Sequence, residues 1–426
     1  MRFLYTSLFY ALTPLILARL VWRGWQAPVY RRRWGERFGL YAGPSPRGVF
    51  WFHAVSVGEA EAAFPLIRAM GRRFPNQPIL VTTTTPTGSA RVRDVLGEAV
   101  QHVYLPYDLP DCVARFLNHY RPALAVVMET EIWPNLYRAC GARGIPLTIV
   151  NARLSERSAR GYLRLRSLAR QSLAPVTWIG AQTQADAERF VAIGAKPESI
   201  AVTGNIKFDL ELPSDLFDRA AALRAECSGD RPVWVAASTH DGEDAEILRA
   251  FARVRRLHPD LLLVLVPRHP ERFDKAASLC RAEGLKVIRR SDRVPCGNAQ
   301  VFLLDTMGEL RLYFAASDIA FVGGSLVPTG GHNVLEPALA GLPVLFGPHM
   351  FNFEEAARQL LQACGAARVA DAEELAEWVA KLLDDADLRR EMGSRGRQFV
   401  ESRRGALARV EGVLASLVET VSDVEC

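Results

Sequence analysis

The seven cysteines of this chain, Cys112, Cys140, Cys227, Cys280, Cys296, Cys364 and Cys426, include no CxxC pair, and no histidine stands at zinc-finger spacing from them. A structural zinc site is thereby left out, and an odd, scattered set suits a reducing compartment better than a disulfide scaffold. Internal repeats, low-complexity tracts and long linkers are also missing. So is a strong excess of one charge: 52 Lys and Arg against 47 Asp and Glu leave a net +5 over 426 residues, which does not call for nucleic acid. No GxSxG is present, so His53 and Ser56 do not make a hydrolase nucleophile elbow. What remains is a chain with 49% hydrophobic and 23% charged residues, composed like a folded body and long enough for two domains of about 200 residues each.

The N-terminus has one long uncharged run, Phe3 to Ala18, about 16 residues and a little short of the ~20 that cross a bilayer. Arg19 can snorkel and let Leu20, Val21 and Trp22 extend it. No small-residue cleavage site follows, which favours an uncleaved anchor over a signal peptide. Arg2 precedes the run while Arg23, Arg31, Arg32, Arg33 and Arg37 follow it, so the positive-inside rule expects the body in the cytoplasm. The stretch WRGWQAPVYRRRWGERFG interleaves aromatic and basic residues and suits either an anionic membrane surface or a plain juxtamembrane linker.

From Gly48 onward short apolar runs alternate with amphipathic stretches. GVFWFHAV, PILVTTTT, HVYLP, LAVVME, IPLTIVNA, VTWIGAQ and IAVTGN read as buried parallel strands, and the intervening segments have helical spacing. A polar, proline-containing stretch follows Asp209, and a second series opens with PVWVAAST and continues through LLLVLVP, LKVIRR, VFLLD, IAFVGG and PVLFG. The pattern predicts two doubly wound α/β domains, with a membrane anchor at 1–22, an N-terminal domain at 23–210 and a C-terminal domain at 211–426, whose helices after about residue 370 pack back on either half. Ligands are expected at the carboxyl ends of the strands, in a cleft where the two sheets face each other.

Several residues stand where chemistry is expected. Glu59 lies in SVGE, just after the strand WFHAV, where a carboxylate can act as general base or simply favour the start of a helix. In FVGGSLVPTGGHNVLEPALAGLPVLFGP a glycine-rich loop after a strand runs into a helix at Asn333, Val334, Leu335 and Glu336. Such a helix start offers N–H groups to a phosphate, and Glu336 can accept from ribose hydroxyls. Arg268, after LLLVLVP, has the fork for a phosphate or for a surface ion pair. Lys207 is either a charge-stabilising group or a solvated loop lysine. His269, His332 and His349 fall in these loops without metal-site spacing and read as positioning or hydrogen-bonding groups.

GGSLVPTGGHNVLEPA resembles the donor signature of Kdo (3-deoxy-D-manno-octulosonic acid) transferases, and HAVSVGE, METEIWPN, TGNIKFD and VPRHPERF are similar to further family motifs in family order. The resemblance covers nearly the whole chain. It implies a GT-B fold of two Rossmann-like domains, an acceptor-binding N-terminal one and a donor-binding C-terminal one. It also implies CMP-Kdo as donor, lipid IV A as acceptor at the inner membrane, inversion at the sugar, and no metal. The general base then falls on Glu59, and transition-state stabilisers on Lys207 and on a carboxylate of METEIWPN, with Glu129 preferred to Glu131. Nucleotide-binding positions fall on Pro267 and Arg268, on Met307, Gly308 and Glu309, and on Asn333 to Glu336. The rival readings are a GT-B enzyme using a UDP-sugar, either an epimerase or a lipid-linked transferase, and a tethered binding protein without activity.

Overall fold

The computed structural model describes residues 1–26, 28–43 and 46–424, so Cys426 lies outside the described residues. The chain divides into two compact units, residues 1–209 with 404–426, and residues 210–403.

The first unit carries seven parallel strands: β1 (Phe50–His53), β2 (Ile79–Thr83), β3 (Gln101–Tyr104), β4 (Leu124–Met128), β5 (Leu147–Ala152), β6 (Trp178–Ala181) and β7 (Ile200–Val202). Their order is β3-β2-β1-β4-β5-β6-β7. The runs read as strands become strands because helices cover both faces, and β1, β2, β4 and β5 are buried along their whole length. Side chains alternate between two cores, Trp51 packing with Phe116 and Tyr120 on one face, Phe50 and Phe52 with Phe64 and Leu66 on the other. The order reverses between β1 and β4, which places the switch point of the sheet at their carboxyl ends.

The second unit repeats the plan with β8 (Val233–Thr239), β9 (Leu262–Pro267), β10 (Val287–Arg289), β11 (Val301–Leu303), β12 (Ile319–Val322), β13 (Val344–Phe346) and β14 (Ala366–Arg368). Their order is β10-β11-β9-β8-β12-β13-β14, with the switch between β8 and β12. β14 has no counterpart among the apolar runs of the sequence, since Ala-Ala-Arg carries too little β-branched character to be seen.

Three features go beyond the sequence reading. The last helix, Ala406–Val424, which the sequence leaves to either half, belongs with the first unit. Asp209 fastens it there by accepting from the peptide N–H groups of Gly405 and of Leu407 (2.7 Å), and Arg409 donates to Thr203 O at 2.8 and 3.0 Å. Cys227 and Cys296 form a disulfide, their Cα atoms 4.7 Å apart, because folding brings the end of the helix Leu216–Cys227 to the loop before β11. Finally, two arginines of the aromatic-basic stretch serve the fold. Arg33 bonds Glu36 and His102 O, while buried Arg37 donates to Thr84 O at 2.9 Å and lies over the Tyr104 ring. Arg31 and Arg32 remain exposed.

Candidate active site

In the first unit the chain leaves β1 and turns at Ser56, whose hydroxyl caps the helix Val57–Arg73 by accepting from Glu59 N. The Glu59 carboxylate turns back and accepts from Val55 N at 2.8 Å and from the Ser56 hydroxyl at 3.2 Å. It therefore fulfils the helix-start reading and is held in one rotamer by it. Burial, reinforced by the negative charges of Glu129 and Glu131, pushes its carboxyl up to about 7 against the opposing bonds from Val55 and Ser56.

Glu129 follows β4 directly and has φ 57°, a left-handed backbone in which a non-glycine residue is strained. Lys207 donates to Glu129 Oε1 at 3.3 Å, both side chains being half-buried. The turn carrying Lys207 is fixed by Asn205, whose side chain accepts from Lys207 N, and by Asn151, which accepts from Ile206 N at 3.0 Å. Glu131 is also raised by burial and by Glu129, but Glu129 is the carboxylate that meets Lys207. Glu59, Glu129, Glu131 and Lys207 thus gather at the switch point. His53 does not join them: it is fully buried, bonds Thr82 Oγ1 at 2.9 Å, and burial depresses its ring to about 4.

In the second unit the loops after β8 and β12 are tied together by a residue the sequence reading passed over. Glu243, 0% exposed, accepts four peptide N–H groups: His240 (2.9 Å) and Gly324 (2.6 Å) on one oxygen, Ser325 (2.9 Å) and Leu326 (2.8 Å) on the other. Ser325 Oγ in turn accepts from Gly347 N at 2.8 Å. Gly323 makes this approach possible, since a Cβ there would lie 2.8 Å from Ser238 O. The SxxE pattern after β1 has a loose echo in THDGE after β8, the one sequence signal for Glu243.

Pro267 ends β9, and Arg268 N donates to Thr239 O. Among the described residues the Arg268 guanidinium has no ion-pair partner, and its charge acts on the neighbouring imidazoles. His240 and His332 stack with their Nε2 atoms 2.8 Å apart, and His269 meets His240 edge-on. Burial, then Arg268 and the other two imidazoles, pushes His332 down to about 3, so it is neutral at physiological pH. The peptide N–H of His349 donates to Ser325 O at 2.9 Å. Among the described residues no group of three His, Cys, Asp or Glu has the arrangement of a metal site.

The helix expected after Asn333 is short, Leu335–Leu339, with Val334 as its cap, and Asn333 itself accepts from Leu335 N at 3.0 Å. One of the N–H groups assigned to a phosphate is thus already engaged. Glu336 accepts two bonds from the Arg311 guanidinium on a single oxygen, Oε1, at 2.8 and 3.1 Å. Met307 is 62% exposed, Gly308 has φ 87°, and Glu309 is paired with Arg290 at 3.0 Å. Glu309, Arg290, Thr306 and Tyr313 line a cavity of about 580 Å³ that Cys227 also borders.

Residues 32–210 match the family model described as 3-deoxy-D-manno-octulosonic-acid transferase (kdotransferase), and residues 245–399 match that of glycosyl transferases group 1. The chain is 44% identical to the 3-deoxy-D-manno-octulosonic acid transferase of Haemophilus influenzae, over 98% of this chain and 99% of that one. It is 39% identical to the one from Bordetella pertussis, over 94% and 96% of the two chains. Among solved structures, UDP-GlcNAc 2-epimerase from Neisseria meningitidis superposes with a TM-score of 0.54, covering 87% of this chain and 100% of its own, at 15% identity, a likeness of fold alone. Two parallel sheets of this kind on a group 1 glycosyltransferase frame make a GT-B fold, and with relatives this similar along its whole length the chain belongs to the Kdo transferase family.

Proposed function

We propose that this Kdo transferase takes Kdo from CMP-Kdo and passes it to a hydroxyl of lipid IV A at the cytoplasmic face of the inner membrane, in lipopolysaccharide biosynthesis. The observation that carries the mechanism is Glu59, a carboxylate poised near 7 at the switch point of the first sheet, beside the Glu129–Lys207 pair.

The ionised Glu59 takes the proton of the acceptor hydroxyl while its oxygen bonds to the anomeric carbon of Kdo. The bond to the CMP phosphate breaks, its electron pair leaves with CMP, and attack opposite the leaving group inverts the centre. Arg268, free of any carboxylate among the described residues, meets the phosphate, which then requires no metal. Pro267, Met307 to Glu309 and Asn333 to Glu336 surround the nucleotide, Glu336 being oriented by Arg311. Lys207, held by Glu129, supplies positive charge for the anionic sugar as the transition state develops. The first unit then serves the acceptor and the second the donor. Titrating the protein with CMP and with UDP tests the donor assignment: binding of CMP in preference to UDP is expected, and preference for UDP would overturn it.

A further inference from the structure

The helix Arg2–Gln26 is long and apolar enough to cross a membrane. Its placement on the first unit is at odds with crossing. Tyr5, Thr6, Phe9, Thr13, Ile16 and Leu20, which fall on one face of the helix, are among the positions that are partly or wholly covered. The Tyr5 hydroxyl donates to Asp108 at 3.1 Å, a buried carboxylate that also accepts Asn135 N and Leu136 N. Thr6 donates to Asn135 Oδ1 at 3.1 Å. Tyr10 donates to Asp111 at 2.7 Å, and Asp111 is exposed and paired with Arg115.

These bonds fix the first ten residues to the body, through the buried Asp108 and Asn135 and through Asp111, whose exposed ion pair with Arg115 has no place in hydrocarbon. The apolar remainder, Ala11 to Trp22, is about 12 residues or about 18 Å of helix, against the ~30 Å of a bilayer core. The opposite face is unpartnered and apolar: Phe3 (85% exposed), Leu4, Leu8, Leu15, Trp22 and Trp25 (72%).

Beside the start of this helix lies a cavity of about 730 Å³ lined by Arg2, Arg138, Leu168 and Gln171. One wall of it is the helix Arg166–Leu173, which with Glu156–Arg164 carries a basic surface. Arg157, Arg160, Arg164, Arg166 and Arg170 are all exposed there against a single acid, Glu156, and Leu163 and Leu165 are exposed among them.

We propose that the N-terminal helix lies in the plane of the membrane interface and does not span it, docking its Phe3–Trp25 face into one leaflet while the neighbouring arginines meet anionic phospholipid headgroups. Apolar depth and basic charge side by side suit such a surface and no ordinary protein partner. The inference rests on the reading that the protein works at a membrane.

A tag placed before Met1 of the full chain tests it, probed with protease in inner-membrane vesicles of each orientation. With the helix in the plane, tag and body are cleaved from the same side, in inverted vesicles only. A tag cleaved only in right-side-out vesicles would overturn the in-plane helix while leaving the membrane reading intact.

The purified chain is also floated with phosphatidylcholine vesicles with and without phosphatidylglycerol. Phosphatidylglycerol is expected to raise binding, and Leu8→Glu with Leu15→Glu to lower it about tenfold with circular dichroism unchanged. Equal binding to both vesicles, or full binding by the double variant, would overturn the docking surface. A wild-type chain that floats with neither vesicle and stays soluble in cells would sink the membrane reading together with the inference.

Discussion

Glu59→Gln is expected to cost activity and gain stability in the same protein. The wild-type carboxyl moves from its ordinary 4.5 to about 7 on folding, chiefly because burial disfavours the charge. Between those values the unfolded chain has lost a proton that the folded one keeps, so wild-type stability falls as pH rises from about 4.5 to about 7 and is flat above. The displacement corresponds to at most about 3 kcal/mol, and partial solvent access brings the expectation to about 1–2 kcal/mol. Glutamine keeps an acceptor for Val55 N and has no charge to desolvate. Urea unfolding should therefore find the variant more stable by that amount at pH 8 and equal to wild type near pH 4. Transfer should fall by 10² or more, and the rise of wild-type kcat/KM through about pH 7 should vanish. A Glu59→Gln protein that turns over at the wild-type rate, or a wild-type profile flat from pH 5 to 9, would refute the assignment of Glu59 as base.

Arg268→Ala should weaken CMP by about 1–3 kcal/mol, the worth of a charge-assisted bond, and calorimetric titration measures it; unchanged affinity would remove Arg268 from the donor site. In Glu243→Gln the amide NH₂ faces peptide N–H donors where an oxygen accepted them, so the Gly324–Leu326 amides should lose hydrogen-exchange protection and CMP-Kdo should bind about tenfold or more weakly. Protected amides with normal KM would show that the carboxylate does not hold the loop. Transfer should continue in EDTA, because Arg268 and peptide N–H groups suffice for the phosphate; loss of activity restored by magnesium would contradict this.

Continuous β-rich runs such as ILVTT and LLVLVP made most of the parallel strands legible, because strands buried on both faces need no alternation. The short strand Ala366–Arg368 was not legible, since its placement comes from pairing with β13 and not from its own composition. Nor was it legible which half the last helix joins, since that depends on Asp209 reaching residues about 200 positions away. At the site, SVGE directly after a strand made Glu59 a candidate, but its position suits a helix start equally, and its reading as base came from the family resemblance. Glu243 looked like any acid at a helix start, and only the fold reveals that its carboxylate fills the nest of the glycine loop. Arg311 is 25 residues from Glu336, and Cys227 is 69 from Cys296, so neither pairing leaves a local signal.

The most direct test of the account is the mass of lipid IV A after incubation with CMP-Kdo and the full-length protein. The account predicts that the lipid gains the mass of Kdo with wild type, and gains nothing with a folded Glu59→Gln protein that still binds CMP. A lipid left unmodified by the wild-type protein, or modified only when a UDP-sugar replaces CMP-Kdo, would contradict it.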